Sequence, residues 1–115
     1  MARLHVVTPQ QASGPVKELF DGIQASVGMI PNIYQGVANS TVALEGLLHL
    51  GKVLGTGQLN GAEIEAVKLV VSQAYGCNYC LAVHTLLGKK HGLTENETVA
   101  IRRGTIEPPK LGALV

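Results

Sequence analysis

Residues 60–92 decide the fold of this chain, and they read NGAEIEAVKLVVSQAYGCNYCLAVHTLLGKKHG. Asn60, followed three residues later by Glu63, has the form of a capping box, which opens a helix. Gly76 interrupts the segment, and Gly92 stands at the position where a left-handed residue commonly ends a helix. The stretch therefore predicts two antiparallel helices joined near Gly76.

Helical spacing of apolar residues, at steps of three and four, continues on both sides of this stretch. The predicted helices cover about 15–27, 31–37, 40–54, 60–75, 77–91 and 94–104. The Glu107-Pro108-Pro109 sequence stops helix formation, and the tail 110–115 is expected to lack order because its apolar turn has no partner. We therefore predict an all-α protein that forms a single domain over residues 1–115.

The composition of the chain is poor in charge. Charged residues make up only 15% of the chain and hydrophobic residues 46%, whereas ordinary soluble domains carry roughly 25% charged residues. Such a composition excludes a disordered chain, because disordered segments are poor in aliphatic side chains and rich in charge. The shortage of charge indicates that part of the surface is not meant to face water, and self-association is the simplest way to cover it.

Charge pattern and hydropathy exclude two further classes. The formal net charge is +1, with no block of like charges, whereas nucleic-acid binding needs a basic face that neutralises phosphates. The apolar run within residues 1–9 is too short for a signal peptide, and no stretch approaches the roughly 18 uninterrupted apolar residues of a membrane span. We therefore expect a cytoplasmic protein without nucleic-acid or membrane partners, in a compartment that keeps thiols reduced.

The residues with the clearest chemistry are Cys77, Cys80 and His84. On a helix they fall within a stripe roughly 60° wide, because three- and four-residue steps return to the same face. Cysteines placed in this way can approach disulfide distance, and in the cytosol such a disulfide is usually catalytic or redox-cycling. The first turn of a helix also favours thiolate, since its free amides and its dipole stabilise negative charge.

Two arguments disagree about which cysteine is the nucleophile. The helix dipole favours Cys77 as the thiolate, whereas His84 lies one turn from Cys80 and is the natural base for it. We give more weight to the base, because the leaving oxygen also requires a proton. Glu65 on the preceding helix could hold the imidazole in one tautomer, which completes a set of nucleophile, base and orienting group.

The same residues carry a family resemblance. Glu65, eleven intervening residues, Cys77-Asn78-Tyr79-Cys80, three more residues and His84 resemble the signature of the alkylhydroperoxidase D / carboxymuconolactone decarboxylase superfamily, and the similarity covers about 28–104. The resemblance implies an all-helical bundle with a core helical hairpin, assembled as homotrimers or hexamers. It also implies a thiol-dependent peroxidase that reduces alkyl hydroperoxides or hydrogen peroxide in antioxidant defence.

The resemblance further implies roles for four residues. Cys80 would attack the small peroxide substrate, and Cys77 would then close a redox-active disulfide. Glu65 and His84 would relay protons. No bound cofactor and no metal is implied, and the reductant would be an external dithiol such as a lipoyl- or thioredoxin-type carrier.

Two features depart from the family pattern. Tyr79 stands where the best-known members have a histidine, and a phenol is a poor base at neutral pH. Members also usually continue past Pro108-Pro109 with at least one more helix, so we expect this chain to be a short form or a fragment.

Other interpretations of the same residues stay open. The cysteines could be buried thiols that pack as small hydrophobic groups. They could also bind zinc together with His84 and Glu65, although structural zinc normally takes two separated ligand pairs. A redox-responsive oligomeric module without turnover is a third alternative. A decarboxylase-like lactone enzyme is a fourth, although that branch of the superfamily generally lacks the paired cysteines.

Overall fold

The computed structural model describes residues 2–115, and its secondary structure over that range is helical. The helices are α1 (Gly14–Val27), α2 (Asn32–Val37), α3 (Thr41–Leu54), α4 (Gly61–Ala74), α5 (Asn78–Lys90), α6 (Glu95–Arg103) and α7 (Pro109–Leu114). No strand occurs among the described residues, which confirms the all-α prediction. Of the helices in this part of the chain, none combines the length and the apolar character that spanning a membrane requires.

Residues 2–54 form a compact unit built from α1, α2 and α3. The core of this unit consists of the buried residues Phe20, Ile23, Ala38 and Leu44. Phe20 and Ile23 lie three residues apart on α1 and therefore share one face of that helix. Burying each large side chain contributes about 1.5–3 kcal/mol before the entropy of ordering is subtracted, so this face holds the unit together.

Gly55–Val115 form a second compact unit, in which α4 contacts α5, α6 and α7. The core of this unit consists of the buried residues Ala66, Leu69, Leu81, Leu93 and Ile101. Ala66 and Leu69 are three residues apart, so the apolar face of α4 is the one that the other helices cover. The grouping into a single domain over residues 1–115 stays a prediction.

Side-chain caps and glycines set the ends of the helices in the second unit. Asn60 and Glu63 form the predicted capping box at the start of α4, and Thr94 and Glu97 form another at α6. The helices end before glycines with positive φ, namely Gly76, Gly92 and Gly104. After each helix, two backbone amides bond the last free carbonyls in the Schellman pattern. The boundaries that position the site are therefore encoded locally.

The C-terminal segment is the place where the structure corrects the sequence prediction. Helix α7 covers Pro109–Leu114 and has a proline in its first turn, where the missing amide would be unpaired in any case. Leu111 packs against the core of the second unit, and Lys110 Nζ lies 2.8 Å from Glu63 Oε1. The prediction that residues 110–115 lack order was wrong, because their apolar turn has a partner that the local pattern does not reveal.

Candidate active site

Helices α4 and α5 run antiparallel, and this arrangement brings the predicted site residues together. Gly61 at the start of α4 lies against the ring of His91 at the end of α5. Further along α4, Glu65 bonds to His84, which is earlier in α5. The two helices therefore run in opposite directions, and the chain reverses at Gly76.

The turn between the two helices places Cys77 at the N-cap of α5. Gly76 adopts φ +65°, a left-handed conformation that L side chains disfavour, so the chain reverses immediately before Cys77. The amide of Cys77 donates to the carbonyl of Ser72 at 3.0 Å, which ties the start of α5 to the last turn of α4. Cys77 Sγ in turn accepts a hydrogen bond from the backbone amide of Cys80 at 3.2 Å. The Cys77 sulfur thus lies where the free amides of a helix stabilise negative charge.

Cys77 and Cys80 form a disulfide in the first turn of α5. Their Cα atoms are 5.2 Å apart, within the usual range for a disulfide. Neither residue is fully buried. The spacing therefore forms the pair that the sequence predicts, at a position that solvent reaches.

Glu65 and His84 form the second part of the site. Glu65 Oε2 lies 2.7 Å from His84 Nδ1, and only 5% of the Glu65 side chain and 22% of the His84 side chain are exposed. An ionised carboxylate accepts hydrogen bonds and donates none, so His84 donates through Nδ1. The Nε2 lone pair of a neutral imidazole is then free to accept a proton.

Gly88 lies on α5 close to this pair. A Cβ added at Gly88 would lie 3.0 Å from Leu93 Cδ1, 3.8 Å from Glu65 Cβ and 3.9 Å from Leu69 Cδ1. A side chain there would press on Leu93 Cδ1, whereas its distances to Glu65 and Leu69 on α4 are those of ordinary van der Waals contact. Gly88 therefore leaves room for Leu93 one helical turn beyond His84.

Lys68 bonds to the other oxygen of the buried Glu65 carboxylate. Its Nζ lies 2.8 Å from Glu65 Oε1, and 46% of its side chain is exposed. Burial by itself would raise the pKa of Glu65, but the hydrogen bonds from His84 and Lys68, together with their charges, outweigh burial and lower it. Glu65 is thus held as an anion with both oxygens bonded.

The structure groups the four predicted residues as two bonded pairs. Cys77 and Cys80 form the disulfide, and Glu65 and His84 form the hydrogen bond. The pairs are connected through α5, since His84 follows Cys80 by four residues and therefore shares its face of the helix. Their catalytic roles stay predictions. Tyr79, which lies between the cysteines, is exposed.

Sequence reasoning missed two residues of this site. Lys68 follows Glu65 by three residues, a spacing at which helical side chains meet, so an ion pair could have been predicted. Gly88 follows His84 by four residues inside the predicted helix 77–91, where a glycine can have a packing reason. The ion pair could be inferred from the spacing alone, whereas the neighbours of Gly88 depend on the tertiary structure.

The zinc alternative gains no support from the arrangement of the residues. Over residues 2–115, no three or more His, Cys, Asp or Glu side chains are grouped so that they could hold a metal ion.

Comparisons with known proteins agree with the fold. The sequence profile of the Carboxymuconolactone decarboxylase family matches residues 41–111. The crystal structure of the alkylhydroperoxidase AhpD core from Rhodospirillum rubrum is similar, with a TM-score of 0.78 and 29% sequence identity over 88% of this chain and 79% of that chain. A comparison with curated proteins gives no significant match.

Fold and site together define an all-α protein with a disulfide of the Cys-x-x-Cys type next to a bonded glutamate and histidine. The chain belongs to the carboxymuconolactone decarboxylase family, in the superfamily that also includes alkylhydroperoxidase D-like proteins.

Proposed function

We propose that this chain is a thiol-dependent peroxidase that reduces alkyl hydroperoxides or hydrogen peroxide, as part of antioxidant defence in the cytoplasm. The observation that carries the proposal is the 2.7 Å hydrogen bond between Glu65 and His84, one helical turn from the Cys77–Cys80 disulfide. Peroxide reduction at sulfur uses a thiolate, a base that takes the thiol proton and a group that orients the base. The similarity to an alkylhydroperoxidase core supports the same reading.

The first step is attack on the peroxide by Cys80 in the reduced protein. His84 Nε2 takes the thiol proton, and the Cys80 thiolate attacks the terminal oxygen of the peroxide. The O–O bond breaks, the terminal hydroxyl stays on sulfur as a sulfenic acid, and the leaving alkoxide takes the proton from His84 to form an alcohol. Cys80 is oxidised by two electrons, and the peroxide is reduced by two.

The second step closes the disulfide. Cys77 attacks the sulfur of the Cys80 sulfenic acid, the S–O bond breaks, and hydroxide leaves with the Cys77 proton as water. The amide of Cys80 donates to Cys77 Sγ, and such a bond at a helix N-terminus favours the attacking thiolate. An external dithiol then reduces the disulfide by two-step exchange and is itself oxidised. We propose a lipoyl- or thioredoxin-type carrier as that dithiol.

A peroxidase assay coupled to excess dithiol tests the proposal with two cysteine variants. We expect Cys80→Ser to lower peroxide consumption to the background rate, because it removes the attacking sulfur. Cys77→Ser should consume about one peroxide per chain and then stop or slow, because the sulfenic acid forms but no internal disulfide follows. Mass spectrometry after peroxide treatment should show one disulfide per wild-type chain.

Ala82→Ser is a matched control, since Ala82 is exposed on α5 between Cys80 and His84 and also becomes serine. It should retain wild-type activity. Full activity in Cys80→Ser with loss in Cys77→Ser would reverse the two roles. No peroxide consumption by wild type with any of the dithiols would contradict the peroxidase proposal.

A lactone decarboxylase is a second candidate, and the family match over residues 41–111 favours considering it. Such an activity would not depend on sulfur chemistry. Decarboxylation of a muconolactone that survives replacement of both Cys77 and Cys80 by serine would support this candidate against the peroxidase.

We also propose that the chain functions as a homotrimer or hexamer. Apolar side chains of α3 are exposed in the single chain, namely Val42, Leu47, Leu50, Val53 and Leu54. Contiguous exposed apolar surface is typical of a protein–protein contact, and the low charge of the chain agrees with this reading.

A further inference from the structure

The carboxylate of Glu65 has two cationic or potentially cationic neighbours, one on each oxygen. Oε2 lies 2.7 Å from His84 Nδ1, and Oε1 lies 2.8 Å from Lys68 Nζ. The Glu65 side chain is only 5% exposed, whereas that of Lys68 is 46% exposed. Lys68 therefore extends from the surface to a carboxylate that water hardly reaches.

An exposed ion pair on a helix contributes little, because water screens both charges. The Lys68–Glu65 pair differs because one partner is buried, where an unpaired carboxylate would take up a proton. A protonated Glu65 could donate to His84 or rotate away from it. An ionised Glu65 only accepts, and it therefore keeps the Nδ1–H tautomer of His84.

We propose that Lys68 is a positioning residue of this site, which holds Glu65 as a fixed carboxylate so that Glu65 orients His84 without carrying the proton. This inference rests on the proposed function in one respect, namely that His84 serves as the base for Cys80. The proton taken from Cys80 then stays on His84 until the leaving oxygen receives it. Glu65 thus acts through His84, and the relay has one proton carrier instead of two.

Three other cations on the helices around α4 have partners of their own. Arg102 on α6 donates through Nε to Gln73, and Lys110 on α7 bonds to Glu63. Lys89 near the end of α5 pairs with Glu95. Within the described part of the chain, Lys68 and His84 are the groups whose charges act on Glu65.

Titration of the glutamate carboxyls by ¹³C NMR tests this inference without any need for activity. Lys68→Met keeps the aliphatic stem and removes the charge, whereas Lys68→Arg keeps the charge. We expect the Glu65 carboxyl, assigned with Glu65→Gln, to take up its proton at higher pH in Lys68→Met than in wild type. Lys68→Arg should restore the wild-type titration. Lys89→Met, which breaks an ion pair in the same unit, should leave it unchanged.

The ¹⁵N shifts of His84 give a second readout. Among the neutral forms of the imidazole, the Nδ1–H tautomer should dominate in wild type and Lys68→Arg, and its share should fall in Lys68→Met where Glu65 takes up a proton. If Lys68→Met fails to fold, Lys68→Gln provides the same comparison. The inference would be overturned if the Glu65 titration in Lys68→Met were the same as in wild type. It would also be overturned if Lys68→Arg shifted the Glu65 titration as much as Lys68→Met does.

The pH profile of peroxide consumption connects the inference with the reaction. At the acid end of the profile, kcat/KM of Lys68→Met should fall about tenfold below wild type, which corresponds to about 1.4 kcal/mol, and Lys68→Arg should recover most of it. If the wild-type chain shows no peroxidase activity, the proposed function fails while the NMR result still decides the role of Lys68. Equal profiles in active wild type and Lys68→Met would contradict a positioning role.

Discussion

Glu65 is the residue on which stability and the proposed chemistry depend together. Its carboxylate is buried between α4 and α5 and bonded to His84 and Lys68. Burial disfavours its charge, and the two hydrogen bonds more than compensate, so the pKa of Glu65 lies below its ordinary value of 4.5. A group of this kind stabilises the folded state only while it is ionised.

The lowered pKa of Glu65 determines how its contribution to stability changes with pH. Because the folded-state pKa of Glu65 is lowered, its contribution is complete above about pH 4.5 and is lost as pH falls through the folded-state value. We expect Glu65→Gln to lower the free energy of unfolding by about 1–3 kcal/mol at pH 7, the cost of leaving charged hydrogen-bonding partners unpaired.

Urea unfolding of wild type and Glu65→Gln between pH 7 and pH 3 measures this effect. The difference between the two proteins should shrink as pH decreases, since protonated glutamate resembles glutamine in charge. Other groups that titrate in this range are common to both proteins and cancel in the difference. A difference that stays constant, or grows, toward pH 3 would show that the Glu65 carboxylate does not stabilise the fold.

At the scale of the helices, the close contact between α4 and α5 at Gly61 can be tested directly. A Cβ at Gly61 would lie 2.3 Å from His91 Nδ1 and 2.8 Å from His91 Cγ, so the whole ring would have to move. We expect Gly61→Ala to lower stability by roughly 1 kcal/mol through this overpacking. Thermal unfolding followed by circular dichroism measures the change.

Gly46→Ala is the matched control for this substitution, because a Cβ at Gly46, within α3, meets no atom within 4 Å. It should keep or raise stability, by up to about 1 kcal/mol from helix propensity. Adding His91→Ala to Gly61→Ala should recover stability, since the clashing ring is gone. If Gly61→Ala proved as stable as Gly46→Ala, the His91 ring would move aside without a loss of folding free energy.

The exposed apolar side chains of α3 are candidates for contacts between copies of the chain. Leu47, Leu50 and Leu54 lie at positions i, i+3 and i+7 of α3 and are exposed in the single chain. We expect sedimentation to show a homotrimer or hexamer that dissociates on dilution, with peroxidase activity lost in the dissociated chain. The charge content of 15% leaves little repulsion to oppose assembly.

Replacing Leu50 by Gln should weaken this assembly, because it places an amide on the apolar stripe. Leu4→Gln is the comparison, since Leu4 is also exposed but lies outside the helices. A chain that sediments as a monomer at all concentrations and is fully active would contradict the assembly proposal.

Much of the helical framework could be predicted from the sequence because its determinants are local. The capping boxes at Asn60 and Thr94 involve residues three apart, and the glycine at 76 ends a helix within its own turn. The Cys77–Cys80 pair is local as well, since both sulfurs lie in one helical turn. Such features need no knowledge of distant contacts.

The helix at the C-terminus and the surroundings of Glu65 depend on contacts between residues far apart in the chain. Helix α7 forms at Pro109–Leu114, where Leu111 packs on a core built from α4, α5 and α6. Glu65 is buried and bonded to His84 because α5 packs against α4. Local sequence encodes helices α1 to α6, the two capping boxes and the cysteine pair, since short-range hydrogen bonds and periodicity specify them. Burial decided which charges face each other, and burial is a property of the packed chain.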